Sequence, residues 1–127
     1  MARIALAIGA AFIVLAGPGS IAGAQDYPPP RGFVSDSAHL LSGEAVNELT
    51  ARLDRLERDT SAEVAVVTIE TLGGHPIEEY AAGLFERWGI GKKDKDNGVL
   101  FLVAYDESEL RIEVGYGLES VITDGRA

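Results

Sequence analysis

Two periodicities alternate along the chain after residue 32. Val46, Leu49, Leu53 and Leu56 recur at helical spacing, with Glu44, Glu48, Arg52, Arg55 and Glu57 mostly off that face. This predicts an amphipathic helix over 43–58, with Ser42 as its N-cap. Glu48 and Arg52 add an i,i+4 pair in the favourable orientation. Glu63–Ile69 (EVAVVTI) is β-branched and apolar on both faces, which predicts a buried central strand. Gly73 and Gly74 turn the chain, and Pro76 suits a first helical position. Ile77, Tyr80, Ala81, Leu84, Phe85 and Trp88 then give a second helix closed by Gly89. Residues 99–104 (VLFLVA) form another apolar run, and Leu110, Ile112 and Val114 alternate with Arg111 and Glu113 as in a strand with one wet face.

The order strand, helix, strand implies a right-handed parallel crossover. The last two strands are too close for a crossover, so they predict an antiparallel hairpin around Asp106, Glu107 and Ser108. Pairing Ala104 with Leu110 carries Gly98 toward Tyr116, and Asp96 toward Leu118 and Glu119. Five consecutive charged residues, Lys92 to Asp96, would then lie beside the segment from Gly115 to Glu119. Residues 122–127 read as a helix just beginning, capped by Thr123 or Asp124. The expectation is a domain lacking its C-terminal part, with one sheet face uncovered.

The N-terminus has a different character. Arg3 precedes an apolar run over 4–16, Gly17, Pro18 and Gly19 break it, and Ala22, Gly23 and Ala24 fit a small-residue cleavage site before Gln25. This is the pattern of a secretory signal peptide over 1–24. The apolar run is shorter than the roughly 20 residues a membrane-spanning helix needs. Residues 25–32, with Pro28, Pro29 and Pro30, read as a stiff extended linker, which leaves 33–127 for the domain.

Charge and cysteine content narrow the chemistry. The formal net charge is −9, and Arg3 is the only charged residue before Gln25. Such a balance repels nucleic acid and anionic lipid and favours cations or basic partners. With no cysteine, a disulfide scaffold, a thiol nucleophile, Cys-ligated zinc and N-terminal Cys lipidation are excluded. The chain has no G-x-S-x-G or H-E-x-x-H motif, and His39 and His75 stand alone in turn-like contexts. The loop Gly89-Ile90-Gly91-Lys92-Lys93 follows a helix and opens a strand, the reverse of a phosphate cradle. Asp94-Lys95-Asp96-Asn97-Gly98 places its glycine one position early for an EF-hand, and Tyr105 stands where the bidentate Glu belongs. Two readings of this loop stay open: an oxygen-ligand site completed by Glu119, or a solvated turn in which Asn97 and Gly98 supply positive φ.

Taken in order, Val34-Ser35-Asp36, Trp88-Gly89-Ile90-Gly91, Asp96-Asn97-Gly98-Val99-Leu100 and Val114-Gly115-Tyr116-Gly117-Leu118-Glu119 resemble the TPM domain family over 33–127. The resemblance implies an α/β fold, a three-layer α/β/α sandwich around a small mixed β-sheet, on an exported or lumen-facing protein. It also implies a cation-binding acidic cluster at the matching positions Asp36, Asp96, Asn97, Glu119 and Asp124, with Ca2+ or another divalent cation as the ligand. Family roles range from photosystem II repair and acid-phosphatase-like activity in the thylakoid lumen to receptor auxiliary functions and calcium binding.

Fold and family leave two function classes open. One is an accessory or binding module of the cell envelope, periplasmic in location, whose partner is an envelope or membrane protein. Its anchoring to the membrane would come from a further C-terminal segment. The other is a metal-dependent acid phosphatase. The missing nucleophile and the negative charge favour the module.

Overall fold

The two apolar runs become the middle of a sheet. The structure, a computed structural model, describes residues 27–119. The elements are β1 (Val34–Asp36), α1 (Gly43–Thr60), β2 (Glu63–Ile69), α2 (Ile77–Trp88), β3 (Gly98–Ala104) and β4 (Glu109–Val114), followed by a 3-10 turn over Tyr116–Leu118. Among the described residues they make one sheet in the order β1-β2-β3-β4, parallel as far as β3 and antiparallel between β3 and β4.

The pleat sends alternate residues of the central strands to opposite faces, and a helix covers each face. Ala65, Val67 and Ile69 of β2 and Leu100, Leu102 and Ala104 of β3 pack with Ile77, Tyr80, Ala81 and Leu84 of α2. Val64 and Val99 pack on the other face with Val34 and Leu53, joined by the half-buried Val46 and Leu49 of α1. The expected α/β fold around a small mixed sheet is therefore present. Tyr27 also joins the α2 side: its ring meets Tyr80 edge-on at 5.0 Å, and the Arg87 guanidinium lies 5.5 Å from its centre.

The helix ends follow local chemistry. Ser42 Oγ accepts the Ala45 N–H at 3.0 Å, which satisfies one of the open donors of the first turn. α1 runs past Arg58 to Thr60 and closes on Ser61 in the left-handed region, φ 68°. Leu56, expected on the apolar face, is 38% exposed. Pro76 is the N-cap of α2 rather than its first helical residue, and Gly89 closes that helix at φ 63°.

Two further expectations change. Val34–Asp36 is an edge strand paired parallel to β2, where the sequence suggested only a lead-in to α1. The hairpin register is one residue tighter than expected, with Ala104 opposite Glu109 and Val103 opposite Leu110. Because side chains alternate, this shift sends Leu110 to the α1 face. α1 lies mainly over β1 and β2, which leaves Leu110 60% exposed and Phe101, Val103 and Ile112 half-buried beside it.

Leu84 and Leu110 therefore give opposite expectations. Leu84→Ala, at a position with no exposure, should lower stability by about 2–5 kcal/mol in chemical denaturation. Leu110→Ser should change it by no more than about 0.5 kcal/mol while reducing the binding of a hydrophobic dye. A loss at Leu110 comparable to that at Leu84 would mean that this face is covered in solution.

Candidate functional site

The charged loop starts and ends where backbone meets backbone. Gly91 has φ +98°, and a Cβ there would stand 2.6 Å from the Gly98 nitrogen; a Cβ on Gly98 would stand 2.5 Å from the Ile90 carbonyl oxygen. No side chain fits at this pinch. Asn97, buried to 7% exposure, fastens the loop from inside. Its Oδ1 accepts the Lys92 N–H at 2.8 Å, and its Nδ2 donates to the Ser61 carbonyl at 2.9 Å and to Ser61 Oγ at 3.0 Å. Glu63 works on the same seam, accepting the Gly91 N–H at 2.8 Å on Oε1 and donating its own N–H to the Asn97 carbonyl at 3.1 Å. The residue at positive φ is Asp96, at 47°, and not Asn97 as the Asn-Gly pair suggested.

Beyond β3 and β4 the hairpin continues as a pair of loops. Gly115 donates to the Gly98 carbonyl and Gly117 to the Asp96 carbonyl, each at 2.8 Å. Asp96 and Glu119 therefore share one cleft of about 680 Å³, walled by the end of α2 through Phe85 and Glu86, by Ile90 and by Val114 to Tyr116. The sequence-based pairing of Asp96 with Glu119 holds, although the register that carries it differs by one. Both carboxylates are exposed and have no hydrogen-bond partner among the described residues. Glu86 and Glu113 also line the cleft and were not singled out from the sequence. Glu113 was legible as a wet-face strand residue, but nothing local linked it to Asp96. Lys92 is turned toward α1, where it is ion-paired with Glu57; that hydrogen bond, against some desolvation, raises its pKa above the ordinary lysine value.

Asp36 stands at the other end of the sheet. It pairs in register with Thr68, which pairs with Val103. Asp96 precedes the first residue of β3, so at about 3.3 Å per residue the two carboxylates are separated by roughly 17 Å or more. The five positions implied by resemblance are thus not one cluster: Asp96, Asn97 and Glu119 come together, Asp36 does not, and Asp124 lies outside the described residues. Asn97 is also spent on its own hydrogen bonds and offers no free ligand atom to the cleft.

The carboxylates at the Asp36 end act as clasps. Asp36 Oδ1 accepts the Leu40 N–H at 2.9 Å and the Thr68 hydroxyl at 2.6 Å, while Oδ2 accepts the Leu41 N–H at 2.9 Å. Burial alone would raise the Asp36 pKa, but these bonds outweigh it and hold the carboxyl below its ordinary value. Glu107 in the hairpin turn accepts the Leu72 N–H at 3.0 Å and the Thr71 hydroxyl at 2.8 Å, and the same bonds lower its pKa. His39 and His75 belong to turns at this end, away from the cleft.

The cleft suits a hard cation only loosely. Calcium takes about six to eight oxygen ligands, whereas among the described residues no three His, Cys, Asp or Glu side chains are grouped to hold a metal. The Asp96 carbonyl already accepts from Gly117. Asp96 and Glu119 would supply the protein oxygens and water would complete the shell. Such a donor set fits a hydrated, weakly held ion.

Two substitutions separate clasp from cleft. Asp36→Ala should lower stability by about 1–3 kcal/mol near neutral pH. Because the folded-state pKa is depressed, this contribution is complete above the unfolded pKa and is lost as pH falls through the folded one. The gap between parent and variant should therefore narrow in unfolding curves below about pH 4; a constant gap would remove the clasp. Asn97→Ala should cost about 1–3 kcal/mol by stranding the Lys92 N–H and the Ser61 carbonyl, measured by denaturant titration.

A sequence profile of the TPM domain matches residues 34–127. The fold is also found in solved structures. The N-terminal domain of a protein from P. gingivalis is similar at 35% identity with a TM-score of 0.69, over 74% of this chain and 60% of that one. The N-terminal domain of a protein from Corynebacterium glutamicum is similar in fold at 18% identity with a TM-score of 0.59, over the same shares of the two chains. This chain thus spans about 60% of the length of each. Among curated proteins none matches. By sequence profile and by fold, the chain belongs to the TPM domain family.

Proposed function

We propose that this domain is an accessory or binding module of the cell envelope, exported to the periplasmic side, which holds a divalent cation such as Ca2+ loosely at Asp96 and Glu119 and serves the assembly or maintenance of membrane proteins. One observation carries the reading: the cleft presents unpartnered carboxylates and neither histidine lines it. A covalent acyl- or phosphoryl-transfer site needs a nucleophile paired with a base, and no such pair lines this cleft among the described residues; a metal-activated water is the route left to the phosphatase reading. The export half of the reading rests on the signal-peptide pattern of residues 1–24. No helix among the described residues is long and apolar enough to cross a membrane.

A bound cation would neutralise part of the charge of the cleft wall and draw the Glu119 segment toward the Asp96 loop. Both ends of that loop are already fixed, by the glycine pinch and by Asn97, so binding would need little reordering of the Asp96 side.

Calorimetric titration of the chain from Gln25 with calcium should give saturable binding with a Kd of roughly 10⁻⁴–10⁻³ M. Binding should be lost in Asp96→Ala and in Glu119→Ala but kept in Asp36→Ala, which lies at the other end of the sheet. An absence of binding at millimolar calcium would remove the cation site. Metal-dependent phosphate-ester turnover that disappears in Asp96→Ala but survives in Asp106→Ala would replace the module with a phosphatase.

A further inference from the structure

The longer edge strand of the sheet, β4, points to a class of partner. Among the described residues β4 pairs with β3 alone. Gly115 and Gly117 donate to Gly98 and Asp96, and the antiparallel alternation that they continue turns the main-chain groups of Glu109, Arg111 and Glu113 toward β3. The N–H and C=O groups of Leu110, Ile112 and Val114 are left facing outward. β4 carries no proline or lysine, and its charged residues Glu109, Arg111 and Glu113 all stand on one side of the sheet.

The two sides of this edge differ in chemistry. On the α1 side stand Leu110, 60% exposed, and Ile112, next to the half-buried Phe101 and Val103. On the α2 side stand Glu109 and the Arg111–Glu113 ion pair, 3.3 Å, with Glu86, Asp96 and Glu119 along the adjoining cleft. Lys92 is occupied by Glu57; Lys93 also lines the cleft, where the carboxylates of Glu86, Asp96, Glu113 and Glu119 outnumber it. A second copy of this chain would bring the same acidic rim against its own, and the net charge of −9 opposes that pairing.

We propose that β4 accepts an extended peptide strand in which apolar and basic residues alternate. Its outward-facing amides and carbonyls complete the ladder with Leu110, Ile112 and Val114. Its apolar side chains lie on Leu110 and Ile112, and its Lys or Arg side chains reach Glu86, Glu109 and the Asp96–Glu119 cleft. The inference rests on the reading of the domain as a binding module but does not need the cation.

The test is fluorescence anisotropy on the chain from Gln25 with three labelled peptides: alternating Val-Lys, the same composition in blocks, and alternating Val-Glu. The alternating Val-Lys peptide should bind at least about tenfold more tightly than either of the others. N-methylation of every second amide should abolish binding in the register that faces β4 and leave it intact in the other. Equal affinity for the block peptide, or indifference to N-methyl register, would reduce the effect to bulk charge and overturn strand addition. N-methyl register sensitivity should be the same with EDTA present, so failure of the strand site and failure of the cation site are read separately.

Discussion

Asn97 is a buried amide at the mouth of a central strand, and its three side-chain hydrogen bonds tie the charged loop to the turn between α1 and β2. Oδ1 holds the start of the charged loop at Lys92, while Nδ2 holds the turn between α1 and β2 at Ser61. A buried polar group without partners is costly, so the loop has little freedom to open without breaking all three. The glycine pinch at Gly91 and Gly98 and the Glu63 bond to Gly91 depend on the same closure. The juxtaposition of Asp96 with Glu119 follows, because Asp96 occupies a fixed left-handed position whose carbonyl receives Gly117.

This arrangement accounts for the charged run lying against the most apolar strand. The loop is polar outward and fastened inward by one amide, so β3 can enter the core at Gly98 with no intervening linker. Lys92 turns toward Glu57 on α1, Lys95 reaches Ser61 at 3.3 Å, and Asp96 is left at the rim. Ion pairing thus draws Lys92 to one side of the loop, while Lys93 stays on the cleft side, where the carboxylates of Glu86, Asp96, Glu113 and Glu119 outnumber it.

Much of the architecture was legible because burial was. β2, β3 and α2 are long apolar segments whose period survives any tertiary context, and Ser42 and Gly89 mark helix ends by local hydrogen bonding and φ alone. β1 was hidden because three residues carry no period, and it exists only through its pairing with β2. The hairpin register was missed by one because it depends on a tight turn with Ser108 at positive φ, 55°, closed by its N–H on the Tyr105 carbonyl at 3.1 Å; Ser108 is an unremarkable residue for that role. Of the site, the pairing of Asp96 with Glu119 was readable since a hairpin fixes it. The position of Asp36 was not, because it depends on which end of a parallel strand the residue occupies, and resemblance by position carries no such direction.

The stack of Arg87, Tyr27 and Tyr80 sets how the domain is held by whatever lies before it. Tyr27 packs onto α2 several residues ahead of β1, close over Gly83, where a larger side chain would leave no room. Tension arriving from the N-terminal direction therefore enters through an aromatic contact on a helix buried against the sheet. The three-residue edge strand β1, which would otherwise peel first, is shielded from that load.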